Sequence, residues 1–298
     1  MNQIPWNRHK TAVVCMLLFT SSNAIFFKLS QLQPMVFVSG RFMIASALFL
    51  LLALISRVLK GRTDRPVSWR EAAVLMGIGC VYGTGAFVYF LALKRTALAS
   101  VLLLTCCSAI FIVILSRLFL KEKQGLRAYF ATGVAFSGIV VIFLMGDSGG
   151  SSLSGNLLAL ACAMCGATYM VFMKRFAHLD VFLKLFYVYL GSFLFATVIS
   201  LAQGNAFFCE GQGFGIQQLW ILCSGLLSIS IPQAVINRSL RHVKASFAGN
   251  VALMEPVVAS FYGYLIWREG LTLAHLIGGV LILGGLFYYN TSEKGERA

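Results

Sequence analysis

A chain of 298 residues that is 59% hydrophobic and only 11% charged is too apolar for a soluble globular protein, in which charged residues make up about a quarter. Its formal net charge of +14 would suit a nucleic-acid partner, yet nineteen of the 24 lysines and arginines fall between alternate apolar runs rather than on one patch. The composition therefore places the chain in a membrane, and its basicity reads as topology rather than nucleic-acid binding.

Ten apolar runs follow one another, at 11–29, 35–56, 72–93, 96–116, 128–146, 153–173, 185–203, 216–237, 245–267 and 271–290. Each is about 18 to 23 residues, the length a transmembrane helix needs and about twice that of a barrel strand. The expected fold is all-α and integral to the membrane, with ten transmembrane helices. The first run exceeds the apolar core of a signal peptide, and no small-residue cleavage site follows Lys28, so it reads as a retained helix.

Polar residues inside these runs are the candidates for a site. In the first run, Ser21-Ser22-Asn23 sets an amide at mid-depth. Arg41 lies about 9 Å inside the second run at 1.5 Å per residue, near enough for its guanidinium to reach outward to the headgroups. Anion binding is its secondary reading. In the third run Tyr82 and Tyr89 share a helical face, with Tyr82 the better candidate because Tyr89 lies close enough to the surface to anchor there. Gly77, Gly79, Gly83 and Gly85 would let a neighbouring helix approach closely. Tyr169 offers a hydroxyl in the sixth run.

Ser230, Gln233 and Asn237 recur in the eighth run at helical spacing, beside Pro232, which leaves the carbonyl of Ser228 without its usual donor. In the ninth run Glu255 and Pro256 stand near the middle. A charge at bilayer depth costs roughly 2.5 to 3.5 kcal/mol on insertion scales, so Glu255 should face a cavity or a partner rather than lipid. Pro256 also frees the carbonyl of Ala252, and a polar pocket at mid-depth follows. The candidate substrate-binding set is Asn23, Tyr82, Tyr169, Ser230, Gln233, Asn237 and Glu255, with no catalytic residue and no metal ligand.

Placing both termini in the cytoplasm puts those nineteen cations inside and leaves Lys28, Lys94, Arg95 and Arg268 outside. Seven of the eight cysteines lie within apolar runs and Cys209 alone lies in an external loop, so no disulfide framework is implied. Cys106-Cys107 and Cys162-x-x-Cys165 read as small packing residues rather than metal ligands.

An offset of 146 residues lays the chain on itself. It pairs Ala99-Ser100 with Ala245-Ser246, Arg95 with Arg241, Lys28 with Lys174, Ser22 with Thr168, Gly79 with Gly225, Thr84 with Ser230, Gly133 with Gly279 and Gly138 with Gly284. Two copies of five spans, 1–150 and 151–298, must cross the membrane in opposite senses. That is an inverted repeat, in which the substrate site is expected near the midplane between the copies.

The segments YFLALKRTALASVLLLTCCSAIFIVILSRLFLKEK at 89–123 and SLRHVKASFAGNVALMEPVVASFYGYLIWREGLTLAHLIGGVLILGG at 239–285 resemble the drug/metabolite transporter superfamily, in particular its EamA-type members. The resemblance spans nearly the whole chain. It implies ten helices in two inverted repeats around a central cavity that carries small metabolites such as amino acids, often outward. Arg41, Glu122, Pro256 and Glu269 match the family pattern. Ser108-Ala109-Ile110 stands where a proline is common, so the two halves are expected to bend differently.

The function expected is therefore a secondary transporter of a small metabolite, an amino acid or a related polar or amphipathic compound, working as an exporter by alternating access. An uptake carrier for a nucleoside-like compound is the alternative. A non-transporting membrane subunit or an intramembrane enzyme ranks below both. The chain has no Gly-x-x-x-x-Gly-Lys-Ser/Thr loop, and His9, His178, His242 and His275 are scattered near helix ends. No cofactor is implied. The partners expected are the substrate, a lipid bilayer with anionic lipids at the cytoplasmic loops, and a proton as coupling ion, in a bacterial inner (plasma) membrane.

Overall fold

Helices are what these apolar runs can form without exposing backbone polar groups to lipid. The computed structural model describes residues 6–60, 67–96, 101, 104–122, 125–145, 152–204, 215–267 and 273–295, and no strand occurs among them. Ala99, Ser100, Cys209, Arg268, Glu269 and Arg297 lie outside the described residues.

The helices are α1 (Trp6–Ser21), α2 (Asn23–Ser30), α3 (Pro34–Lys60), α4 (Trp69–Leu93), α5 (Ser108–Phe119), α6 (Leu126–Met145) and α7 (Leu153–Arg175). They continue with α8 (Val181–Ala202), α9 (Ile216–Cys223), a π-helical segment Ser224–Ser230, α10 (Ile231–Ser239), α11 (Ala245–Ala252), α12 (Glu255–Trp267) and α13 (Leu273–Gly295). Six stretches among the described residues are long and apolar enough to cross a membrane: Arg8–Phe27, Pro34–Leu59, Trp69–Leu93, Leu153–Arg175, Val181–Ala202 and Ile216–Ser239. Leu104–Phe119 adds a shorter apolar helix.

Local chemistry sets the helix starts. Ser68 and Glu71 form a reciprocal cap on α4, the Ser68 hydroxyl accepting from the Glu71 N–H and the Glu71 carboxylate from the Ser68 N–H. Asp180 accepts from the Leu183 N–H at 2.7 Å to start α8.

Three apolar runs are interrupted. Between α1 and α2 the Ser22 hydroxyl donates to the Phe19 carbonyl at 2.6 Å, the local side-chain bond that unsettles a helix interior. Between α11 and α12 the chain tightens at Leu253 and Met254, whose N–H groups donate to the carbonyls three residues back, just before Glu255-Pro256. Cys107 makes the same turn onto Leu104, and Cys107 precedes Leu253 by the repeat offset. A break thus recurs at the equivalent place in the copy without proline, so a turn there does not require one.

The eighth run is continuous helix, but it widens into π winding at Ser224–Ser230 before Pro232. There the Ile231 N–H donates to Leu226, five residues back.

A close backbone approach joins α4 and α8. A methyl group at Gly79 would collide with the Val188 carbonyl and one at Gly191 with the Met76 carbonyl, while the Ser192 hydroxyl donates to the Gly79 carbonyl at 2.8 Å. Phe42, Phe49, Leu75 and Tyr189 form the buried centre between α3, α4 and α8. Further contacts pair α4 with α7, α1 with α10, α2 with α9, α5 with α7 and α11, and α6 with α13. What these contacts leave open lies between α1, α3, α4, α7, α10 and α12, where the polar residues gather.

Candidate functional site: a charged cavity between the helices

The breaks in α1/α2 and α11/α12 place a side chain at each interruption against the interior. Asn23 opens α2 and Glu255 opens α12, and both line a cavity of about 240 Å³. Tyr82 from α4, Tyr169 from α7 and Gln233 from α10 line it too. Five of the seven residues singled out in the sequence thus share one space. Its remaining wall is largely apolar, with Leu17, Ile112, Met170 and Val251 beside the hydroxyls of Thr20, Ser108 and Ser228.

The polar groups on the wall hold one another in place. The Tyr169 hydroxyl donates to Gln233 Oε1 at 2.9 Å, and Tyr82 and Tyr169 pack with ring centroids 4.3 Å apart. The Ser22 and Ser228 hydroxyls meet at 2.9 Å. Ser230 and Asn237 do not line the cavity. The Ser230 hydroxyl instead donates at 2.7 Å to the Gly225 carbonyl, which the π winding brings within reach. Asn237, 1% exposed, supports Gln233 from behind, its Nδ2 donating to the Gln233 carbonyl at 3.0 Å and to Oε1 at 3.2 Å.

Arg41 lines the same cavity, and here the structure corrects the sequence reading. The guanidinium does not reach out to the headgroups; the residue is 5% exposed. Its Nη1 donates at 2.6 Å to Asn23 Oδ1, which also accepts from the Ser224 hydroxyl at 3.2 Å. The rings of Phe42, Phe90 and Phe37 lie 5.0, 5.6 and 5.7 Å from its central carbon. Aromatic faces and an amide oxygen stabilise the charge in place of water. Arg41 and Glu255 are the charged members of the described lining. Tyr89 packs on Phe90 with centroids 5.2 Å apart and is not among the lining residues.

Ser228 and Ser108 escaped the sequence reading. The repeat offset carried a signal for Ser228, which lies 146 residues after Tyr82. Ser108 carried none, being one hydroxyl in an apolar run.

Two further sets of contacts join the helices at two places, by different chemistry. At one, Phe27 and Phe90 pack with centroids 4.4 Å apart, and both line a second, shallower hollow of about 350 Å³ with Gln31, Gln33 and Lys94. At the other, three cations bind carbonyls left open at helix ends. Lys174 donates to the Leu240 and Val243 carbonyls, Arg241 to those of Ala177 and Leu179, and Lys184 to that of Met173. Glu122 accepts from the Ala245 N–H at the start of α11 at 3.2 Å.

Residues 11–144 and 153–291 each match the EamA-like transporter family. Among curated proteins, the chain is 27% identical over 263 residues to the uncharacterized transporter YoaV of Bacillus subtilis, covering 86% of this chain and 87% of that one. It is 25% identical over 273 residues to an uncharacterized transporter of Archaeoglobus fulgidus, covering 89% and 91%. A solved crystal structure superposes with a TM-score of 0.79 over 95% of this chain and 98% of that one, at 20% identity, which is a likeness of fold.

Proposed function

We propose, from the premise that this chain belongs to the EamA-like transporter family and is an integral membrane transporter rather than an enzyme, that it is a secondary carrier of a small amphipathic metabolite, an amino acid or a close relative. The observation that carries this reading is the 240 Å³ cavity, in which a cation and a carboxylate share a largely apolar wall built from helices before and after residue 150. A solute with opposite charges and an apolar body suits such a wall. Export is the direction we adopt, with uptake of a nucleoside-like compound the alternative and a proton the coupling ion that Glu255 would carry.

The finer architecture belongs to the same proposal: ten transmembrane helices in two inverted repeats, 1–150 and 151–298, with both termini cytoplasmic in a bacterial inner membrane whose anionic lipids meet the basic loops. Three observations support it. The family matches the chain twice in succession. The helix breaks at Cys107 and Leu253 stand one repeat apart. The packing also pairs equivalent spans, α3 with α8, α5 with α11 and α6 with α13. Under that topology the Phe27–Phe90 contact would close the outer side and the carbonyl contacts of Lys174 and of Arg241 the cytoplasmic side, so separation of one set at a time gives alternating access.

The test is flux of a mixed set of amino acids and nucleosides from proteoliposomes, read by mass spectrometry in both directions, for the wild type and Glu255→Gln. Protein-dependent flux that falls strongly in the variant is expected. Absence of flux from every preparation would overturn the carrier reading.

A further inference from the structure

The charge on Arg41 is incompletely answered by the protein. Its one hydrogen bond among the described residues runs from Nη1 to Asn23, no carboxylate among them lies within ion-pair distance, and its Nε is buried without a partner. A buried guanidinium offers five donors in a planar fork and costs free energy for each left unmade. Arg41 could have been a purely structural cation had an acid or a set of carbonyls filled that fork, as carbonyls do for Arg241. Instead it stands on the wall of the cavity, held on one side by Asn23 and backed by Phe37, Phe42 and Phe90. That arrangement leaves donors of the fork unanswered beside the cavity, and a planar oxyanion is the partner whose geometry a guanidinium fork matches.

From this geometry we infer that Arg41 binds the carboxylate of the transported solute and makes the carrier selective for carboxylates over neutral analogues. Asn23 is the positioning residue, since its Oδ1 takes Nη1 and is itself held by Ser224. Glu255 on the same wall disfavours dianions such as phosphate monoesters and leaves room for an ammonium, so the class that fits is a zwitterion or monocarboxylate with an apolar body. The inference rests on the carrier reading above.

The test uses full-length protein in liposomes loaded with leucine, phenylalanine and threonine, the amide of each, isovalerate and adenosine, with efflux corrected for protein-free liposomes. In the wild type the carboxylates should leave at least about tenfold faster than their amides and adenosine, the factor expected for one charge-assisted contact. Arg41→Gln should abolish that discrimination, and Arg41→Lys should keep part of it. Wild-type efflux of amides or adenosine as fast as of the amino acids overturns the inference and leaves the carrier reading standing. So does an Arg41→Gln protein that still discriminates. If no solute leaves, the carrier reading falls and the inference with it. Should Arg41→Gln fail to fold, the wild-type comparison of acid with amide decides alone.

Discussion

The Tyr169 hydroxyl donates to Gln233 Oε1 at 2.9 Å across 64 residues of sequence, and Asn237 Nδ2 reaches the same oxygen at 3.2 Å. One amide oxygen therefore ties α7 to α10 at the edge of the cavity. Interhelical bonds of this kind in membrane proteins average about 0.6 kcal/mol. Tyr169→Phe should lower the stability of the purified protein by about that amount. Gln233→Leu should cost more, because it strands the Tyr169 hydroxyl and the Asn237 amide together, both buried. Thermal unfolding of the two single variants and the double variant checks this, and additive losses would deny the coupling.

The α4–α8 contact gives a second test with an internal control. Gly79→Ala and Gly191→Ala each drive a methyl group into a facing backbone carbonyl, of Val188 and Met76 respectively. Overpacking of this kind costs about 1 to 3 kcal/mol. Gly77 lies on the same helix as Gly79, and a methyl group there would meet nothing within 4 Å, so Gly77→Ala should be neutral or slightly stabilising. Melting temperatures that rank Gly77→Ala with the other two would contradict the packing described.

How much of this was legible in the sequence differs by residue. Asn23, Tyr82, Tyr169, Gln233 and Glu255 were legible because a polar group inside a membrane-length run has few places to go other than a cavity. Arg41 was legible as an intramembrane charge but not in direction. A long side chain can follow either of two routes from one backbone position, and the choice was made by Asn23 and three phenylalanines brought in by folding. Ser230 shares its spacing with Gln233 and Asn237, but its hydroxyl turns back onto the Gly225 carbonyl of the π-helical segment, a winding that spacing alone does not announce. The turn at Cys107 was hidden because its sequence has no breaker, and only its counterpart at Leu253, next to Pro256, advertised one.

The proposed topology predicts the chemistry of Cys209, the one cysteine placed in an external loop by the distribution of lysine and arginine. A membrane-impermeant thiol reagent added to intact cells should label it, and a Cys209→Ser protein should lose that labelling. Labelling that requires permeabilised cells would invert the assignment of inside and outside.

Glu122 yields a pH prediction, since it lies between α5 and α6, outside the membrane-spanning segments. Burial pushes its carboxyl above the ordinary range, and this outweighs the Ala245 N–H bond and the nearby Lys174 and Lys244, which pull it down. A carboxyl with a folded pKa above its unfolded value favours folding when protonated. That contribution is complete below the unfolded pKa and is lost as pH rises through the folded one. Glu122→Gln keeps an oxygen for the Ala245 N–H and removes the titration. The variant should therefore gain stability relative to the wild type as the pH is raised from below the ordinary carboxylate range, with the difference levelling off once the wild-type carboxyl is ionised. Melting curves of both proteins at stepped pH read it directly. A difference that shrinks with rising pH would mean that the lysines, rather than burial, govern this carboxyl.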